Sequence, residues 1–159
     1  MIKSTHSIKI LLPLNEVMEL FKNQDYFKFW QKGLVSSRPL NGSPGESNST
    51  REMRIKVAGN IIKMSEEITT VNLPHLWEAT YRTKGVVNKQ SNRFRETETI
   101  IDHKIIKTTL WDATSTFKFT GFMRLIGKAQ PQLFKGQTLQ HMQDFKTFAE
   151  NQSDFITNG

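Results

Sequence analysis

Five stretches in the middle of the chain repeat their inward-type residues at every second position, and after Phe119 the repeat changes to every third or fourth. Met53, Ile55 and Val57 make the first run, Met64, Glu66 and Ile68 the second, and Trp77, Ala79 and Tyr81 the third. Asn92 and Phe94 follow, then Thr109, Trp111 and Ala113. Successive side chains of a strand point to opposite faces, so a period of two marks one face of a sheet. The breaks "AGN" at 58–60, "NLP" at 72–74, "TKG" at 83–85 and "TETIID" at 97–102 carry turn chemistry. Consecutive strands with short connections predict an antiparallel meander. Beyond Phe119, the residues Phe122, Ile126, Ala129, Phe134, Met142, Phe145 and Ala149 fall at helical spacing. Pro131 should kink or restart that helix, because it lacks a backbone donor and crowds the preceding turn.

Ahead of the meander, "KSTHSIKILL" alternates as a strand does. "LNEVMELFKN" reads as a helix with Asn15 as a candidate cap and Val17, Leu20 and Phe21 on one face. A second short helix is expected through "DYFKFWQKG", closed by Gly33, and then an extended "LVSSRPL". "LNGSPGESNST" at 40–50 lacks the Gly-Lys-Ser/Thr ending of a phosphate loop and precedes a strand, so it reads as a hairpin connection. The 159 residues suit one domain over 1–159, large enough to bury a core.

Eleven Phe and three Trp point to an aromatic-rich core, and the lack of cysteine excludes a disulfide scaffold and a thiol nucleophile. The formal charge of +7 invites a nucleic-acid reading. The basic residues are scattered, however, and the densest spots, "RFR" and "MRIK", alternate in strand fashion, so no nucleic-acid partner is expected. His6, His75, His103 and His141 show no metal-ligand spacing, so no metal or other cofactor is expected. Serines 36, 37, 43 and 47 have no nucleophile-elbow pattern, and Glu96, Glu98 and Asp102 fall in the polar turn. Glu66 is the informative acid, set between apolar Met64 and Ile68. It reads either as a pocket acid or ligand anchor, or as half of a salt bridge, for instance with Lys107. The N-terminus does not read as a signal peptide, and no stretch approaches the roughly 18 apolar residues of a membrane span. A cytoplasmic protein without stable membrane insertion, monomeric or weakly dimeric, is expected. The stretch "FTGFMRLIG" is apolar on more than one side, which suits burial, a portal flap, a membrane-touching patch or a dimer surface.

The order of elements, together with "SSRPLNGSPGESNSTREMRIK", "EEITTVNLPHLWEATY" and "TTLWDATSTFKFTGFMRLIGKAQPQLFKGQTLQHMQDFKTFAE", resembles the SRPBCC superfamily. That superfamily includes START domains, Bet v 1-like plant proteins and bacterial polyketide cyclase/dehydrase-like proteins. The resemblance implies an α+β helix-grip fold: a curved antiparallel sheet of six to seven strands around a long C-terminal helix, with two short helices after the first strand and a cavity between sheet and helix. The cavity-lining set it implies is Met53, Ile55, Met64, Glu66, Ile68, Trp77, Ala79, Tyr81, Asn92, Phe94, Thr109 and Trp111. Phe122, Met123, Phe134, Met142 and Phe145 are the implied roof, with Asn88 and Gln90 added if their strand keeps register past Val87. The implied role is binding of a hydrophobic or aromatic small molecule or a lipid. The alternatives are a cyclase or dehydratase in which Glu66 or Tyr81 moves a proton, and an interaction module like the Hsp90-activator branch.

Overall fold

The computed structural model describes residues 1–57 and 59–158, with side chains through Gln152. Seven strands form one antiparallel sheet: β1 (Ile2–Ile10), β2 (Leu34–Asn41), β3 (Thr50–Val57), β4 (Asn60–Asn72), β5 (Leu76–Thr83), β6 (Val86–Ile101) and β7 (Lys104–Phe119). Their order is β1-β7-β6-β5-β4-β3-β2, so the first strand closes against the last while β2 to β7 run as a meander. Two short helices, α1 (Leu14–Lys22) and α2 (Phe27–Trp30), carry the chain from one edge of the sheet to the other. After β7 come α3 (Met123–Ala129) and the long α4 (Pro131–Asn158). Register shifts between Leu34 and Ser36, Pro39 and Asn41, and Ile68 and Thr70 bend the strands, as bulges do, into a sheet that curves around the helices.

Several local expectations are corrected. The polar stretch 97–102 is strand up to Ile101, because Thr97 and Thr99 meet Thr108 across the ladder with hydroxyl oxygens 2.8 and 3.2 Å apart. The reversal is confined to Asp102 and His103, both at positive φ, the geometry of a two-residue hairpin loop. Glu96 and Glu98 therefore stand on β6. Asn15 does not cap α1; it lies inside the helix, and the Leu14 amide donates to the Glu96 carboxylate at 3.0 Å. As expected, Pro131 restarts the helix as the first residue of α4, which interrupts the stripe after Phe119. Of the turn "AGN", Ala58 lies outside the described residues; Val57 pairs with Asn60 as a hairpin requires.

The core concentrates on one half of the sheet. Phe21 of α1 is its hub, with ring centroids of Trp30, Trp77, Phe94, Trp111 and Phe145 between 5.1 and 5.7 Å away. α4 lies along β1: Lys146 Nζ donates to the Lys9 carbonyl at 2.7 Å, the Leu11 amide donates to Glu150 at 2.9 Å, and His6 Nε2 sits 2.9 Å from the Lys135 carbonyl. Met142 and Phe145 are fully buried against this half. α3 is pinned to the β5–β6 turn, where Gly85 holds φ +78° and an added Cβ would sit 2.7 Å from Met123 Cγ.

Phe145→Ala removes a ring wedged against Trp30, Trp111 and Phe21 in a region with no room to collapse. Urea denaturation should show a loss of about 3–5 kcal/mol; a loss under about 1 kcal/mol would mean that α4 is not seated on this cluster.

Candidate functional site

Because α4 follows β1 and β7, it leaves the inner face of β3 to β5 uncovered, and α1, α2 and their connection roof that side. Two abutting chambers result. The inner one, ≈ 70 Å³, is walled by Phe21, Phe27, Trp30, Ile68, Trp77 and Trp111. The outer one, ≈ 200 Å³, is walled by Leu34, Met53, Ile55, Met64, Phe117 and Thr138. Gln31, Arg51, Tyr81, Gln90 and His141 border both. The cavity expected between the sheet and the C-terminal helix thus lies to one side of α4, which among the described residues contributes Gln137, Thr138 and His141.

The polar boundary is built by sheet register. Arg51 on β3 stands opposite Glu66 on β4, which stands opposite Tyr81 on β5, which stands opposite Asn88 on β6. Arg51 engages Glu66 through two parallel bonds, Nε to Oε1 at 2.7 Å and Nη2 to Oε2 at 3.1 Å. Both side chains are buried. Two of the remaining guanidinium N–H groups reach Ser37 Oγ at 3.2 Å and Gln31 Oε1 at 3.5 Å, and the guanidinium carbon lies 4.8 Å from the centre of the Phe27 ring. Glu66 is therefore half of a salt bridge, but with Arg51; Lys107 instead lies 3.9 Å from Glu96.

Two further groups have shifted acidities. Burial raises the Tyr81 phenol well above its ordinary value, and the Glu66 charge and the hydrogen bond Glu66 accepts add to this, so the hydroxyl keeps its proton. His141 sits on α4 with its ring 5.0 Å from Trp30. Burial pushes its pKa down to about 4, against the opposing pull of Asp144 and Glu66, so the imidazole is neutral at pH 7. Tyr81 and His141 are half-buried, and both border the two chambers. Around them Trp111 Nε1 donates to Asn92 Oδ1 at 3.0 Å, and Ser115 donates to Asn88 Oδ1 at 2.8 Å.

Of the residues singled out from the sequence, Met53, Ile55, Met64, Glu66, Ile68, Trp77, Tyr81, Asn92 and Trp111 border the chambers. Asn88 and Gln90 do so too, since β6 keeps its register with β5 from Val86 onward. Others are placed elsewhere. Ala79, Phe94, Met142 and Phe145 are consumed in solid packing, and Thr109 donates its hydroxyl to the Leu12 carbonyl at 2.9 Å. Phe134 packs on Phe117 and Phe119. Met123 lies against Gly85, and Phe122 is 73% exposed, so neither roofs the cavity. Arg51, His141 and the α1–α2 wall of Phe21, Phe27, Trp30 and Gln31 were not anticipated as lining. Two signals pointed to them: Arg51 continues the Met53–Ile55 alternation backwards by two, and His141 sits four residues before Phe145 on the buried stripe of α4.

No family model matches the chain, and no curated protein does. Solved structures match over nearly its whole length. The protein TTHA0849 from Thermus thermophilus superposes with a TM-score of 0.69 at 13% identity, covering 95% of this chain and 99% of that one. Norcoclaurine synthase from Thalictrum flavum gives 0.66 at 10% identity, covering 92% and 84%. The Zhui aromatase/cyclase from Streptomyces sp. R1128 gives 0.64 at 12% identity, covering 95% and 94%. Identities this low carry the fold and not the activity. The meander closed by β1, the two short helices after it and the long terminal helix, with these superpositions, give the chain the helix-grip fold, the fold also of Ara h 8.0201 (TM-score 0.62, 8% identity) and of the Zhui aromatase/cyclase.

Proposed function

We propose that the protein binds an uncharged hydrophobic or aromatic small molecule, its ring system in the aromatic inner chamber and its remaining part in the outer one. The observation that carries this reading is a cavity walled by aromatic rings whose buried charges, Arg51 and Glu66, already neutralise each other. Lys22 and Lys32 stand at the margins of the chambers, each exposed and beside a carboxylate, Glu19 and Asp144, so a carboxylate or ammonium brought to the aromatic walls would find little counter-charge to repay its desolvation. Burying about 300 Å² of ligand at roughly 25 cal/mol per Å² supports micromolar affinity after ordering costs. Native mass spectrometry and thermal shift against polycyclic aromatics and long-chain lipids should find a 1:1 complex that Met64→Trp, by filling the outer chamber, abolishes while the fold survives. If no compound binds, or if Met64→Trp binds as the parent does, the cavity is not the site.

A second reading, a cyclase or dehydratase, rests on His141 and Tyr81 bordering the same chambers. Glu66 has both oxygens held by Arg51, so proton transfer would fall to His141 as base and Tyr81 as acid, although burial moves both acidities away from neutral pH and weakens each in that role. A synthase and an aromatase/cyclase among the structural neighbours are compatible with such chemistry in this fold.

The neutral imidazole has a measurable consequence. Unfolded His titrates near pH 6.5, and the folded His141 only near 4. Between these values the unfolded chain binds more protons, so stability falls as pH drops from 6.5 towards 4, by up to about 3 kcal/mol. Urea titrations at about pH 7.5 and 4.5 should show His141→Gln losing less stability on acidification than the parent. Equal losses would mean that His141 is not buried in neutral form.

A further inference from the structure

The net charge of the chain is gathered at one end of the sheet. The β3–β4 hairpin, the β5–β6 turn and the β7–α3–α4 corner meet at this end, as the pairing of Val57 with Asn60 and of Val86 with both Thr83 and Phe119 requires. Residues 54–63, 82–89 and 118–135, which build it, hold ten of the 22 Lys and Arg and none of the 15 Asp and Glu. Lys63 leans on Glu52 at 3.3 Å and Arg82 on Glu67 at 3.8 Å. The other eight, among them Lys56, Lys84, Arg124 and Lys128, have no ion pair among the described residues.

The same end carries apolar side chains that nothing covers. Phe122 is 73% exposed, Leu125 65%, Leu133 54% and Ile61 61%. Phe122 and Leu125 are three apart and share the outer side of α3, whose inner side packs Gly127 against the Phe119 ring. Arg124 and Lys128 flank them, both exposed. Phe134, held between Phe117 and Phe119, fixes the first turn of α4 so that Leu133 projects at the same corner.

We propose that this end docks on a bilayer surface containing anionic lipid, with Phe122, Leu125 and Leu133 entering the interfacial layer and the surrounding Lys and Arg meeting the headgroups. The combination decides the occupant. A nucleic acid would use the charges but has no place for projecting Phe and Leu side chains, and a second copy in symmetric contact would bring two unpaired basic patches together. Anionic lipid answers both features at once, since apolar insertion and headgroup attraction add. No helix of the described residues is long and apolar enough to cross a membrane, so the contact is peripheral. Ile55, Met64 and Phe117 of the outer chamber stand on the strands that end at this corner, so docking would bring the bilayer to that chamber. The docking itself stands whether or not the cavity holds a ligand.

Co-sedimentation of the full chain with phosphatidylcholine vesicles, with and without about 30% phosphatidylserine at ~0.1 M salt, tests it. The chain should sediment with the anionic vesicles only, and binding should fall roughly tenfold or more in Phe122→Asp/Leu125→Asp and in Arg124→Glu/Lys128→Glu. These side chains are exposed, so melting curves should stay as in the parent. Ile100→Asp/Ile105→Asp, at the opposite end of the sheet, should bind as the parent does. Absence of binding to anionic vesicles overturns the proposal. So does binding that is lost in the Ile100/Ile105 variant but kept in the Phe122/Leu125 one. A dimer in solution that Phe122→Asp/Leu125→Asp dissociates, without vesicle binding, would assign the patch to a second copy instead.

Discussion

Two opposite charges buried side by side determine what the cavity can be. Moving a guanidinium and a carboxylate out of water costs several kcal/mol per ion, and only well-aligned bonds recover it. Arg51 and Glu66 meet that condition with two parallel bonds, and Ser37 and Gln31 take up two of the three remaining donors. An apolar pair of similar volume would cost less to bury, so the ion pair is a poor source of stability. Its effect is on shape and polarity. A cross-strand pair of apolar chains at these positions would join the aromatic cluster; the ion pair instead keeps a polar, rigid boundary between two spaces, beside the buried Tyr81 phenol.

The position of the cavity follows from where α4 does not lie. Hydrogen bonds of Lys146 and Glu150 hold the helix beside β1, and the Phe21-centred cluster fills the space between it, β6 and β7. Over β3 to β5 the cover is the short α1–α2 segment, one turn of which is 3-10 helix, joined at the outer chamber by Gln137, Thr138 and His141 of α4. The single turn of α2 presents Phe27 to the guanidinium and Trp30 to both Phe145 and His141. The roof is thus a small element held by aromatic contacts. Close packing leaves no comparable space on the α4 side, where Met142 and Phe145 have no exposed surface.

The sheet is legible in the sequence because period two survives the polar substitutions within it: Glu66 keeps its place between Met64 and Ile68, and Asn92 stays in phase with Phe94. The far end of β6 reads as a turn because it is written in threonines and glutamates, residues as common in turns, and the cross-strand Thr97–Thr108 contact that makes it strand is not a local signal. Register is the larger gap. That Glu66 is either a pocket acid or half of a salt bridge follows from its apolar flanks; that it is paired, and with Arg51, follows only once β3 and β4 are aligned residue by residue. Metal-ligand spacing alone is a poor test of His141, whose place on the buried stripe of α4 is the more telling fact.

Phe122 illustrates how a helix start misleads. Its spacing continues the apolar stripe of the following helix, yet Pro131 breaks the phase, so α3 and α4 point different faces to the sheet. The face that the stripe assigned to the interior is outside, beside Arg124 and Lys128. The charge of +7 has the same origin. It is not spread over the molecule as the alternation of "MRIK" and "RFR" implied, because strand ends bring distant basic residues to one rim while the carboxylates fall elsewhere. Cavity and rim therefore divide the chemistry of the chain: the interior cancels its charges pairwise and discriminates by shape and hydrogen bonding, while the uncancelled charge sits where only a large, flat, anionic surface can engage it together with three projecting apolar side chains.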